Sequence, residues 1–135
     1  MSVVYALATP ASKSALCVFR VSGPGCLDGL KKMFSSPLVE PRRFYRRSVF
    51  YNDSLVDDVG VVFFKAPSSY TGEDSFEIYA HGGFAVMRSV VDLFKSLGFD
   101  EAGPGEFTKR AFVNGKLSLN EAESVVDTIN NSSSE

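Results

Sequence analysis

The chain offers few groups able to do chemistry, and it has a single histidine, His81, in the run His81-Gly82-Gly83. Any hydrolytic triad or metal site would have to use it. The two cysteines, Cys17 and Cys26, form no CxxC pair and have no HExxH-type partner, so a zinc centre is not expected and free, buried thiols are the ordinary reading. No serine occupies a GxSxG elbow, so a hydrolytic triad has little support. The patterns GxxxxGKS/T and GxGxxG are absent as well, so neither a nucleoside triphosphate nor a dinucleotide has a visible phosphate cradle. What remains is a strand-to-helix junction at His81-Gly82-Gly83, where free amides at a helix N-terminus can meet an anion. The same two glycines serve equally well for a tight turn. Glu77 lies on the polar face of the preceding strand, where solvent-facing alternation alone would also put a carboxylate.

A second cluster, Arg42-Arg43-Phe44-Tyr45-Arg46-Arg47, interleaves cations with aromatics, a composition that can follow a nucleic-acid backbone. Read as a strand, it puts Arg43, Tyr45 and Arg47 on one face and Arg42, Phe44 and Arg46 on the other. A central strand would bury one of those faces. The cluster is therefore expected at a sheet edge or on a protruding hairpin, where charge also blocks edge-to-edge association.

These groups must be held by elements that the hydrophobic pattern outlines. Val3 to Thr9 and Ala15 to Val21 read as strands, separated by Pro10 and the small polar run Ser12-Lys13-Ser14. Ser22-Gly23-Pro24-Gly25 is a stop, after which Leu27, Leu30 and Phe34 recur at helical spacing. Pro37 and Pro41 precede a strand from Phe44 to Tyr51, Asn52-Asp53 fits a hairpin turn, and Val59 to Lys65 is strongly β-forming. Phe76, Ile78 and Ala80 alternate with Ser75, Glu77 and Tyr79 as in a half-buried strand. Met87, Val90, Val91 and Phe94 then trace one helix face, with Gly98 as its stop. After Gly103-Pro104-Gly105 a short helix is expected from Glu106 to Val113, ending at Asn114-Gly115. Ser118-Leu119-Asn120-Glu121 fits a capping box that opens a last helix with Ala122, Val125, Val126 and Ile129 as its stripe.

At 135 residues the chain reads as one domain, and 44% apolar residues suffice for a core that must lean on its 12 Phe, since there is no Trp. No apolar run approaches the ~20 residues of a membrane span, and the start lacks the regions of a signal peptide, so a soluble, cytoplasmic protein without a membrane partner is expected. The net charge of −2 conceals a split. Residues 1–50 carry eight basic against two acidic side chains, and residues 51–135 carry six against fourteen. Such a split suits an anionic ligand on one side, or complementary faces meeting in an oligomer. Interspersed strands and helices make the class α+β, a mixed sheet with a few packed helices.

The segments Ala8-Thr9-Pro10, Phe19-Arg20-Val21-Ser22-Gly23, Ser69-Tyr70-Thr71-Gly72-Glu73-Asp74, His81-Gly82-Gly83, Pro104-Gly105-Glu106-Phe107-Thr108, Arg110-Ala111-Phe112 and Asn114-Gly115-Lys116-Leu117 together resemble, in order, the N-terminal domain of the tRNA-modification GTPases, the MnmE or TrmE family. Glu121-Ala122-Glu123 and Asp127-Thr128-Ile129 look like the start of that family's helical domain. The resemblance departs at Ala11 to Cys17, where the family usually has a glycine-rich stretch and this chain has Ala-Ser-Lys-Ser-Ala-Leu-Cys.

The resemblance implies a fold similar to folate-binding one-carbon transfer domains. Residues 1–118 would form a folate-binding and dimerisation domain, and residues 119–135 the start of a truncated helical domain. It implies a bound 5-formyltetrahydrofolate or 5,10-methylenetetrahydrofolate, with contacts carried over by position to Arg20, Glu77 and Lys116. The one-carbon unit would serve carbon-5 modification of the wobble uridine of tRNA, in concert with an FAD-dependent partner protein and as a homodimer. GTP, magnesium and potassium belong to a separate domain of the full-length family member, so this chain alone is not expected to hydrolyse GTP. Lys13-Ser14 and Lys95-Ser96, its only Lys-Ser pairs, lack a preceding glycine. The residue types agree with the contacts: a carboxylate such as Glu77 can accept from the adjacent N–H and NH₂ of a pterin, and Arg20 and Lys116 can meet the folate's carboxylates or its one-carbon group. Two other readings use the same residues. One is a free-standing folate-dependent aminomethyl carrier, the other an RNA-binding module built on the Arg42 to Arg47 strand.

Overall fold

Alternation of apolar and polar residues decides the sheet. In the computed structural model, which describes residues 2–9 and 15–133, strand β2 (Leu16–Ser22) runs antiparallel to β5 (Ser75–His81), with Phe19 opposite Ile78 and Val21 opposite Phe76. Cys17, Phe19 and Val21 therefore share a face with Phe76, Ile78 and Ala80, and all six are buried. On either side lie β1 (Val4–Leu7), antiparallel to β2, and β4 (Ser54–Phe64), antiparallel to β5. Edge strand β3 (Tyr45–Tyr51) pairs with β4, and the two-residue β6 (Asp100–Glu101) pairs parallel with β1. The order across the sheet is β3-β4-β5-β2-β1-β6, a mixed sheet with four helices and hence α+β as expected.

Helices α1 (Cys26–Met33) and α2 (Phe84–Ser96) belong to the apolar face. Phe94 is its centre: its ring packs 5.7 Å from Phe19 and 6.2 Å from Phe76 in edge-on geometry, 5.3 Å from Tyr5 and 5.8 Å from Phe99. Removing a ring so placed costs about 3–5 kcal/mol, so this cluster carries much of the domain's stability. On α2 the buried positions are Met87, Val90, Leu93 and Phe94, while Val91 packs only at the margin of the core.

The β3–β4 hairpin turns at Asn52 and Asp53, both with positive φ, the two-residue geometry whose twist matches its strands. Strand β4 follows the turn directly and so begins before Val59. The expected strand over Arg42 to Arg47 is corrected: pairing begins only at Tyr45, and Arg42 has a left-handed φ of 65° with its N–H donating to the Phe63 carbonyl at 2.8 Å. After Gly103-Pro104-Gly105 come α3 (Glu106–Val113) and α4 (Leu119–Ser133). The capping box opens α4: the Ser118 N–H donates to the Glu121 carboxylate at 2.9 Å and the Glu121 N–H to Ser118 Oγ at 3.1 Å. Those bonds hold the Glu121 carboxyl below its ordinary pKa. Among the described residues no helix is long and apolar enough to cross a membrane. Residues 10–14, which include the separator, Lys13-Ser14 and most of the departure from the family pattern, lie outside the described residues, as do 134–135.

Candidate functional site

The polar face of the sheet, opposite α1 and α2, opens into a cleft of about 870 Å³. Its floor follows from register. Arg20 on β2 lies opposite Glu77 on β5, and Glu77 lies opposite Val62 on β4, so these side chains form one row across three strands. Arg20 Nε donates to Glu77 Oε2 at 2.8 Å, and the Tyr79 hydroxyl, two residues along the same face, donates to Glu77 Oε1 at 2.5 Å. Burial, and then the bond to Glu77, push the Tyr79 hydroxyl up to about 12. Each oxygen of Glu77 thus accepts one bond from its own sheet. A carboxylate has about four lone-pair sites, so acceptor capacity remains for a planar pair of donors.

Lys116 reaches the same cleft from the far wall. The turn after α3 brings it there: the Lys116 N–H donates to the Ala111 carbonyl at 2.8 Å, and Asn114 Nδ2 donates to the Thr71 carbonyl at 2.8 Å. Gly72 makes this approach possible. Its φ is 80°, and a Cβ there would lie 2.9 Å from Asn114 Cβ and 3.2 Å from Lys116 Cγ. The structure therefore brings Arg20, Glu77 and Lys116, drawn from three separated segments, to one cleft.

Beneath the wall lies a polar network that the sequence reading did not single out. Arg110 on α3 is only 4% exposed. Its guanidinium donates to the Ser2 carbonyl at 2.8 Å, to Glu73 Oε1 at 3.2 Å and to Glu106 Oε2 at 2.9 Å. Glu73, itself buried, also accepts from Ser22 Oγ at 2.8 Å, and Ser69 Oγ donates to its carbonyl at 2.6 Å. Arg110, Glu73, Glu106 and the hydroxyls of Ser22 and Ser69 thus tie α3, the 69–74 loop and the end of β2 together. The available signal was that Glu73 and Arg110 both stand inside the motif segments, separated from each other along the chain.

The other candidate groups are elsewhere. His81 Nδ1 lies 2.8 Å from Asp57 Oδ1 on the exposed rim, outside the cleft. The arginine cluster is divided: Arg43 pairs with Glu40 at 3.4 Å, Arg47 donates to the Pro37 carbonyl at 2.9 Å and stacks on Tyr45, and Arg42 turns into the cleft over Phe64. Cys17 and Cys26 are buried free thiols, with Cys26 pushed up to about 12 by burial. The cleft lining holds neither histidine nor cysteine, and its hydroxyls at Ser22, Ser69 and Thr71 all bond to Glu73. The lining puts a carboxylate acceptor on the floor and cations along the walls.

Fold and cleft together define an α+β domain with one sheet face sealed by helices and the other opened as a charged cleft. The family described as "GTP-binding protein TrmE N-terminus" matches residues 3–116, and the chain belongs to it. It is 44% identical over 130 residues to a tRNA modification GTPase MnmE of Thermotoga maritima, covering 96% of this chain and 29% of that protein. Similar matches are to tRNA modification GTPases MnmE of Neorickettsia sennetsu, 41% identical over 136 residues, 100% of this chain and 24% of the relative, and of Aquifex aeolicus, 42% identical over 128 residues, 93% and 29%. The chain therefore spans 24–29% of the length of these relatives.

Proposed function

We propose that this chain is the folate-binding and dimerisation domain, residues 1–118, of a cytoplasmic tRNA-modification GTPase, with residues 119–135 opening its helical domain. It binds 5-formyltetrahydrofolate or 5,10-methylenetetrahydrofolate through Arg20, Glu77 and Lys116, and so supplies the one-carbon unit for carbon-5 modification of the wobble uridine of tRNA. The oxidative half of that chemistry belongs to an FAD-dependent partner. GTP with magnesium and potassium acts in another domain of the whole protein.

The observation that carries this reading is that the three residues line one cleft, with Glu77 on its floor keeping lone pairs free. A pterin presents adjacent N–H and NH₂ donors in one plane, and a carboxylate with both oxygens facing outward accepts them as a fork. A bound reduced folate would bring the one-carbon unit; the chain's own residues orient it and shield it from water. The homodimer is supported by the charge split and by Phe50 and Leu55, which lie opposite each other on the β3–β4 hairpin and are both exposed. Light scattering should return about twice the chain mass of 14.7 kDa.

Calorimetric titration with 5-formyltetrahydrofolate tests the site. Wild type binds, and Glu77→Ala weakens binding by roughly tenfold or more because the pterin donors lose their acceptor in a desolvated site. Equal affinity of the two proteins removes the assignment. The RNA-binding reading has less support, because the cluster is divided: Arg43 and Arg47 stack on Tyr45, whereas Arg42 turns away over Phe64.

A further inference from the structure

Two cations on the cleft wall, Arg42 and Lys116, have no carboxylate within ion-pair distance among the described residues. The carboxylates lining the same cleft are already matched, Glu77 by Arg20 at 2.8 Å and Glu106 by Arg110 at 2.9 Å. The cleft therefore presents two positive charges that nothing in the fold balances. Arg42 is fixed at both its backbone and its side chain. Its N–H is bonded to the Phe63 carbonyl at 2.8 Å, and its guanidinium lies 5.5 Å from the centre of the Phe64 ring. Stacking on a ring face occupies the flat of a guanidinium and leaves its N–H edge for a planar anion.

The position is also specific along the sheet. Phe64 lies two residues beyond Val62, the neighbour of Glu77, and on the same face, so Arg42 stands about 7 Å along the strand from the Arg20–Glu77 row. Arg20, by contrast, is committed to Glu77 on the floor. The acceptor on the cleft floor, Glu77, and the unmatched Arg42 therefore stand at different positions along the sheet.

We infer that Arg42, together with Lys116, forms a dicarboxylate subsite that takes the glutamate tail of the folate, while Arg20 serves Glu77 at the pterin end. The inference rests on the folate reading above. A terminal glutamate carries two carboxylates, which matches the two unbalanced cations in number, and an arginine edge can hold one of them by two parallel bonds.

The test is calorimetry with two probes, 5-formyltetrahydrofolate and 5-formyltetrahydropteroate, which lacks the glutamate. Wild type should bind the glutamate-bearing probe more tightly. Arg42→Gln should lose about five- to twentyfold of that affinity, the range of one charge-assisted contact at a partly open site, and bind the pteroate unchanged. Arg42→Lys, which keeps the charge without the fork, should fall between. Loss for both probes alike, or for neither, overturns the subsite. Wild type binding both probes equally, while Glu77→Ala weakens both, overturns the subsite and leaves the folate reading standing. Wild type that binds neither probe overturns both.

Discussion

Arg20 and Glu77 face each other across the β2–β5 ladder, Nε to Oε2 at 2.8 Å, on the sheet face opposite the aromatic core. The side chain of Arg20 is 58% exposed and that of Glu77 20% exposed. A pair this open contributes only about 0–1 kcal/mol to folding, because water screens it and two side chains must be ordered to make it. Its placement beside spare lone pairs matters more than its strength.

Glu77→Gln accordingly separates recognition from stability. The amide keeps the shape but replaces one acceptor oxygen by a donor, which meets the pterin donors head-on. Affinity for 5-formyltetrahydrofolate should fall roughly ten- to a hundredfold, as expected for a lost hydrogen bond to a charged group, ~1.5–3 kcal/mol. The unfolding free energy in urea should move by less than about 1 kcal/mol. The reverse pattern, intact affinity with a clear stability loss, would assign Glu77 to the scaffold.

Arg110 is the opposite case. Bonded to Glu73, Glu106 and the Ser2 carbonyl, it is only 4% exposed. Arg110→Ala leaves Glu73 charged and buried, and should destabilise the domain by about 3–5 kcal/mol in denaturant unfolding. A loss below about 1 kcal/mol would mean that water reaches Glu73.

This contrast marks what the sequence could and could not yield. Strand β5 and helix α2 were legible because burial on one face imposes a period, and the capping box because its bonds span only three residues. Glu77 was legible as a polar-face carboxylate, and its function only through the family motifs. Arg110 and Glu73 were not, because an arginine on a short helix looks solvated until a partner 37 residues away is folded against it. Strand β6, Asp100–Glu101, has no β-forming residues and exists because β1 offers it a parallel edge. Arg42 was grouped with the cluster up to Arg47 on residue type alone. The left-handed turn that sends it into the cleft after Pro41 carries no periodic signal.

Gly72→Ala tests how Lys116 is placed. The methyl would meet Asn114 Cβ at 2.9 Å and Lys116 Cγ at 3.2 Å, on a backbone with φ of 80° that side chains resist. The domain should lose about 1–3 kcal/mol of stability. Folate affinity should also fall, since the segment from Asn114 to Lys116 must move away from the 69–74 loop. Unfolding and calorimetry on the same preparation check both. Lost stability with unchanged affinity would show that Lys116 is not held by this contact.

Tyr79 gives a pH dependence with a defined sign. Its hydroxyl is pushed from 10.0 to about 12 by burial and by donating to Glu77. Below pH 10 both folded and unfolded chains hold this proton, and the stabilisation from it is complete. As pH rises from 10 toward 12 the unfolded chain releases the proton first, so the unfolded state binds fewer protons and stability falls with pH. Cys26, pushed from 9.0 to about 12, adds a fall of the same sign that begins earlier. Tyr79→Phe removes only the Tyr79 contribution. The difference between wild-type and Tyr79→Phe unfolding free energies should therefore be constant below pH 10 and shrink across the window to pH 12, while tyrosinate absorbance of the folded protein shows one late-titrating group lost in the variant. If the two stability curves stay parallel throughout, Tyr79 does not hold its proton against Glu77, and that oxygen of the carboxylate is open for a ligand.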